Sequence, residues 1–85
     1  YTLYNLGAIN YTYLKDKEKA KGYFTQAIDS DPEYAEAYLA RGICFEDMKN
    51  YTEAEADYKM AVQSKTNYEL AIDRLNNLID KKKGK

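Results

Sequence analysis

Histidine is absent from the 85 residues, and Cys44 is the only cysteine. Those two scarcities exclude most site chemistry. A structural zinc site needs four nitrogen or sulfur ligands, and a serine or cysteine triad needs an imidazole base. No metal, cofactor or catalytic set is therefore expected, and a single cysteine forms no intrachain disulfide and leaves the redox compartment open. Pro32 is the only proline, so little in the chain interrupts a helix. No apolar run approaches the roughly 20 residues of a membrane span, and no signal peptide is visible. Neither charge dominates, with 13 Lys and Arg against 14 Asp and Glu. That balance gives no electrostatic reason to expect nucleic acid. Membrane contact is not expected either, and the cytoplasm is favoured among compartments.

What the chain does have is a repeated pattern. In residues 35–66, Tyr38, Gly42 and Phe45 fall at i, i+4 and i+7 on one helical face, and Ala54, Tyr58 and Ala61 do the same on the next segment. Each stripe alternates bulky and small, so the two interlock as an antiparallel hairpin with close backbones. Thirty-four residues earlier stand Tyr4, Ala8, Tyr11, Ala20, Phe24 and Ala27, with every size class preserved. Ile9/Ile43, Lys15/Lys49, Ser30/Ser64 and Tyr34/Tyr68 are identical across that shift. A period of about 34 residues carrying a helix-turn-helix is the mark of one solenoid class.

On those residues, and on Pro32, the chain resembles the tetratricopeptide repeat family. The resemblance implies an all-α fold, antiparallel helix-turn-helix repeats stacked as a short right-handed superhelix. Two departures stand out. Gly7 and Arg41 occupy a slot that is usually a large aliphatic, predicting looser packing within each hairpin. Thr66 stands where a second proline is expected, predicting a less rigid exit from the second repeat.

In chain order, the spacing predicts a helix from about Thr2 to Leu14, then one opening at Asp16 and running to about Asp29. Asp31-Pro32-Glu33 is expected to start the third, which ends near Met48. Asn50 to Glu53 resembles a capping box for a fourth helix ending near Ser64, and Thr66 to Glu69 repeats the device for a fifth from about Asn67 to Lys81. The fifth carries Ile72, Leu75 and Ile79 on one side. The expected division is 1–34 and 35–68 as two repeats, 67–81 as a C-terminal capping helix and 82–85 as a solvated basic tail. Because the chain starts at Tyr1, on a residue close to the first helix, it reads as part of something longer. A third stripe, Ala37, Ala40, Cys44 and Met48, is expected to pack on the neighbouring repeat, with Cys44 a small buried hydrophobe.

Function must then come from surfaces. In the family the first helix of each pair lines a groove that holds peptides, which implies a protein–protein interaction module, a scaffold or adaptor, and no enzyme. If Tyr4, Ala8 and Tyr11 face the partner helix, the stripe about 100° further round becomes the groove. Its candidates are Asn5, Ile9, Thr12, Tyr13, Glu36, Leu39, Ile43, Glu46, Leu70 and Asp73. Apolar residues flanked by carboxylates suit a protein or peptide with apolar anchors and basic flanks. The slots of the family's chaperone-tail clamp fall on Asn5, Ile9, Ala40, Leu70 and Arg74, of which only Arg74 has the required type, so acidic chaperone tails are not expected. The alternative is self-association, a homodimer, or docking to an upstream repeat through an N-terminal apolar edge of Tyr1, Leu3 and Leu6.

Overall fold

The structure, a computed structural model, describes residues 3–83. Five α-helices follow in order: α1 (Leu3–Thr12), α2 (Lys17–Ser30), α3 (Ala35–Asp47), α4 (Tyr51–Ser64) and α5 (Glu69–Lys83). Among the described residues there is no strand. Each helix packs on the next in sequence, while α1 and α3 barely touch. The result is an all-α helical-repeat solenoid in which every unit relies on its neighbours.

The helix ends follow local chemistry, with departures from expectation. Asp16 caps α2, its Oδ1 accepting from the Lys19 N–H at 3.1 Å. Asp31 caps a turn rather than a helix. Its side chain accepts from the Glu33 N–H and its carbonyl from the Tyr34 N–H, so α3 begins only at Ala35. Asn50 stands at the N-cap of α4, but makes no side-chain cap bond. The reciprocal half of a capping box has no donor to use, because the Asn50 N–H already donates to the Phe45 carbonyl at 2.8 Å. Asn67 takes a left-handed φ of 58° in the turn where a proline was expected one residue earlier, and α5 starts after it, at Glu69. That helix buries Ala71 and Leu78, leaving Ile72 and Ile79 half-buried, so its packing face is rotated from the one expected. It also runs on through Lys82 and Lys83, so the basic stretch begins inside a helix.

The hairpins close on glycine. A methyl group on Gly42 would sit 2.6 Å from Tyr58 Cε1, and one on Gly7 2.6 Å from Phe24 Cε1. Each aromatic ring therefore comes up against the backbone of the preceding helix with no room for a side chain between them. Phe24 and Tyr58 are separated by the 34-residue period, but Gly7 and Gly42 are one residue further apart. The extra residue lies in the first turn. Lys15 and Lys49 both adopt positive φ, 57° and 67°, at equivalent places, while α1 ends at Thr12 and α3 at Asp47. Correspondingly, the Asp16 N–H reaches back to Asn10, where the Asn50 N–H reaches only to Phe45. The first helix is thus shifted by one from the expected alignment. Gly7, not Ala8, is the counterpart of Gly42, and packing at Gly7 is tight rather than loose.

The core is nearly continuous along the stack. Ala27, Tyr38, Leu39, Ala54, Tyr58, Ala61, Ala71 and Leu78 belong to one buried cluster, and Ala20, Phe24 and Cys44 to another, with Ala40 and Met48 packed on the second. Cys44 is fully buried, and burial pushes its thiol up to about 12, so the thiolate is not formed near neutral pH. Arg41 departs from the aliphatic slot for a visible reason. It donates through Nε and Nη2 to both oxygens of Asp57 at 2.7 and 2.8 Å, and through Nη1 to Thr25 Oγ1 at 3.2 Å. One side chain thereby ties α3 to α4 and to α2.

Neighbouring substitutions separate the observed register from the expected one. Gly7→Leu should cost about 1–3 kcal/mol through overpacking against Phe24, whereas Ala8→Leu should leave the melting temperature within a few degrees. Thermal denaturation followed by circular dichroism checks this, and equal melts for the two variants would mean that Gly7 does not face α2.

Candidate functional site

The one-residue shift turns a different face of α1 toward α3. Tyr4, Ala8, Tyr11 and Thr12 line an apolar cleft of about 160 Å³, completed by Ala40 and Ile43 of α3 and floored by Phe24. Tyr4 was expected to face α2; it does meet Phe24, ring centroids 5.6 Å apart, but also packs against Tyr34 at 5.3 Å, the rings tilted by 33°. The Tyr11 hydroxyl donates to Asp47 Oδ2, bridging the C-terminal ends of α1 and α3. Burial and that bond push the Tyr11 hydroxyl up to about 12, so it remains a donor. Beyond the bridge, Tyr11 and Thr12 also line a second cavity, of about 310 Å³, with Lys15, Lys17 and Asp47.

The residues expected to form one groove are divided by the fold. Thr12 and Ile43 line the cleft. Leu39 is buried in the core at 5% exposure and presents nothing to a ligand. Ile9 and Tyr13 are 46% and 77% exposed. Ile9 lies about 100° from Ala8 around α1, and Tyr13 follows the end of that helix; Asn5, also exposed, lies within about 20° of Thr12. Leu70 is exposed at 55% on α5, as is Asp73. Of the N-terminal edge, Leu6 is exposed; Tyr1 and the side chain of Leu3 lie outside the described residues, as do Gly84 and Lys85.

The carboxylates expected to select basic flanks already have partners in the chain. Glu36 pairs with Lys65 at 3.1 Å, and Glu46 with Lys81 at 2.6 Å while also accepting from the Tyr58 hydroxyl at 2.7 Å. Lys82 pairs with Glu55 at 2.6 Å. Lys81 and Lys82 therefore hold α5 against α3 and α4, and Lys82, expected in the solvated tail, is paired. The hydrogen bond from Lys65 lowers the Glu36 pKa. Burial opposes ionisation of Glu46, but the bonds from Lys81 and Tyr58 outweigh it and the net shift is downward. Bonds from Lys82 and Lys59 lower Glu55.

Among the described residues no group of three or more His, Cys, Asp or Glu could hold a metal ion, and no helix is long and apolar enough to cross a membrane. What remains is a stack of helical hairpins with a cleft between their first helices, the architecture of a repeat protein that works through surfaces. A family model described as Tetratricopeptide repeat matches residues 6–69, from within α1 to the start of α5. The chain belongs to the tetratricopeptide repeat family, whose domains generally mediate protein–protein interactions and are typically not catalytic. Comparison with the curated proteins finds no match.

Three glutamates with lowered pKa values give the stability a definite pH dependence. Their contribution is complete above the unfolded glutamate value of 4.5 and is lost as pH falls through the lower folded values. Lys81, raised by Glu46, acts at the other end, its contribution lost as pH rises above 10.5. Melting temperatures measured between neutral pH and about pH 3 should be flat at first and then fall below the ordinary glutamate range. Glu46→Gln should lower the neutral plateau and shallow the acid decline; an unchanged profile would mean that the Lys81–Glu46 pair does not form.

Proposed function

We propose that the chain is an interaction module that takes an extended segment of a protein partner in the cleft between α1 and α3, with an apolar side chain as anchor. The observation that carries this reading is the cavity itself. Tyr4, Ala8, Tyr11, Ala40 and Ile43 surround apolar space that hairpin packing does not fill, because α1 and α3 barely approach one another. In this reading residues 1–34 and 35–68 act as two repeats, and α5 closes the C-terminal side. Basic flanks on the ligand lose their support at α3, where Glu36 and Glu46 are engaged internally. On α5 the carboxylates of Glu69, Asp73 and Asp80 are exposed.

A second reading concerns the N-terminal edge, and one observation favours it. In the Gly7/Gly42 register, Leu6, Ile9 and Tyr13 correspond to Arg41, Cys44 and Met48. The latter three are covered by α2 and its neighbours, while the former three are exposed. The matching occupant is the second helix of an upstream hairpin. A second copy of this chain offers no such helix, since α2 and α4 already cover α3 and α5. Docking to an upstream repeat is therefore favoured over a homodimer.

Each reading has its own measurement. Selection of a random peptide library on the chain, with Ala8→Leu as the counter-target, should yield ligands that the parent binds and the filled cleft does not; ligands indifferent to the substitution would remove the cleft from consideration. For the edge, a chain with residues 35–68 duplicated ahead of Tyr1 should melt several degrees higher than the parent, and Ile9→Asp should cancel that gain. A parent that dimerises in sedimentation equilibrium would favour the homodimer instead.

A further inference from the structure

The cleft and the second cavity are adjoining spaces that share Tyr11 and Thr12 as a wall. One is apolar. The other is lined by two lysines and one aspartate. Cavities of about 150 Å³ hold a benzene-sized group, so the apolar one accommodates a single Leu or Phe side chain.

The charges around the second cavity are unequally committed. Asp47 accepts from Tyr11, Asp16 accepts from the Lys19 backbone, and Glu18 pairs with Lys21 at 3.2 Å. Lys15 and Lys17 make no ion pair among the described residues, unlike Lys21, Lys59, Lys65, Lys81 and Lys82. Lys15 is exposed in the left-handed turn, and Lys17 is half-buried at the first position of α2. The cavity wall thus carries two uncommitted cations against one carboxylate that is already accepting a hydrogen bond.

The spacing sets the register of a ligand. From Ala8, at the middle of the cleft, to Thr12, on the shared wall, is about 6 Å along α1. In an extended chain, residues i and i+2 point to the same side and are about 6.6 Å apart. We propose that the cleft takes an extended segment with an apolar side chain and, two residues along, an acidic side chain: the first enters between α1 and α3, and the second lies against Lys15 and Lys17. This deepens, and rests on, the cleft reading, and it assigns an acidic rather than a basic flank to the ligand.

The test uses defined peptides on the whole chain. A fluorescein-labelled decapeptide with Leu-Ser-Glu at its centre, in a Gly/Ser/Ala background, is compared by polarisation with Leu-Ser-Lys and Ser-Ser-Glu versions. The Leu-Ser-Glu peptide should bind about three- to tenfold more tightly than the Leu-Ser-Lys peptide, with the difference shrinking as salt rises. Ser-Ser-Glu should bind least. Lys15→Asn with Lys17→Glu should abolish the preference; Asn suits a left-handed φ and Glu suits a first helical turn, so the pair of changes keeps the fold. Asp47→Asn should sharpen it. Equal affinity for the Glu and Lys peptides, both lost on Ala8→Leu, would overturn the acidic flank and leave the cleft reading standing. A Glu preference that survives the lysine changes, or no binding by any peptide, also overturns the proposal. Binding that is untouched by Ala8→Leu sinks the proposal and the cleft together.

Discussion

The contact of an aromatic ring with a bare helix backbone governs this structure. Phe24 lies on Gly7 and Tyr58 on Gly42, each at a distance that excludes even a methyl group. Such close approach brings the two helices of a hairpin together tightly enough for the flanking alanines, Ala20 and Ala54, to become fully buried. It also fixes what the opposite side of each second helix must do. Because α2 is held on α1 by Phe24, its remaining apolar surface is free to cover Cys44, Ala40 and Met48, and the stack continues. Removing either ring contact would loosen a hairpin and the next interface with it.

The fold class was legible because two independent signals agreed. Bulky and small residues alternate at helical spacing, and the alternation recurs after a whole hairpin. The second helices follow the 34-residue period in their bounds and at their packing stripe, Ala20, Phe24 and Ala27 matching Ala54, Tyr58 and Ala61 in place and burial. The first helices do not, and there the reading slipped by one residue. Lys15 and Lys49 match across the shift, as do the residues after them, so an extra residue hidden between Thr12 and Lys15 leaves no trace in a simple offset. Leu6-Gly7 was the available sign. A leucine-glycine pair is part of the family pattern, and aligning Gly7 with Gly42 would have exposed the longer turn.

That single residue explains why the site was only partly legible. One position on a helix is a rotation of about 100°, so residues assigned to the hairpin interface, Ala8 and Tyr11, line the cleft, and residues assigned to the groove, Ile9 and Tyr13, are exposed outside it. The charge pattern was harder still. Glu36 and Glu46 look available in the sequence because their lysine partners are 29 and 35 residues away, on the connection after α4 and at the end of α5. Only packing brings them together. Arg41 is a similar case, since a cation in an aliphatic slot is intelligible only beside Asp57 and Thr25.

The two clefts that the stack could form are not equivalent, and the difference has a physical cause. Between α3 and α5, Leu39 is buried and the Lys81–Glu46 pair closes the C-terminal end, with Lys81 also over the Tyr51 ring. Between α1 and α3 no lysine is engaged in that way. The position equivalent to Tyr51 is Lys17, which has no ring to offer, and the longer first turn carries Lys15 beside it. The C-terminal end is thus held by an ion pair between α3 and α5, and between α1 and α3 by the Tyr11–Asp47 hydrogen bond, with Lys15 and Lys17 beside it in no ion pair among the described residues. A ligand can tell the two apart by Lys17, which replaces Tyr51, and by the apolar lining, since Ala40 and Ile43 give way to Arg74 and Asn77 one repeat on; Lys15 does not distinguish them, because Lys49 holds the same place in the next hairpin.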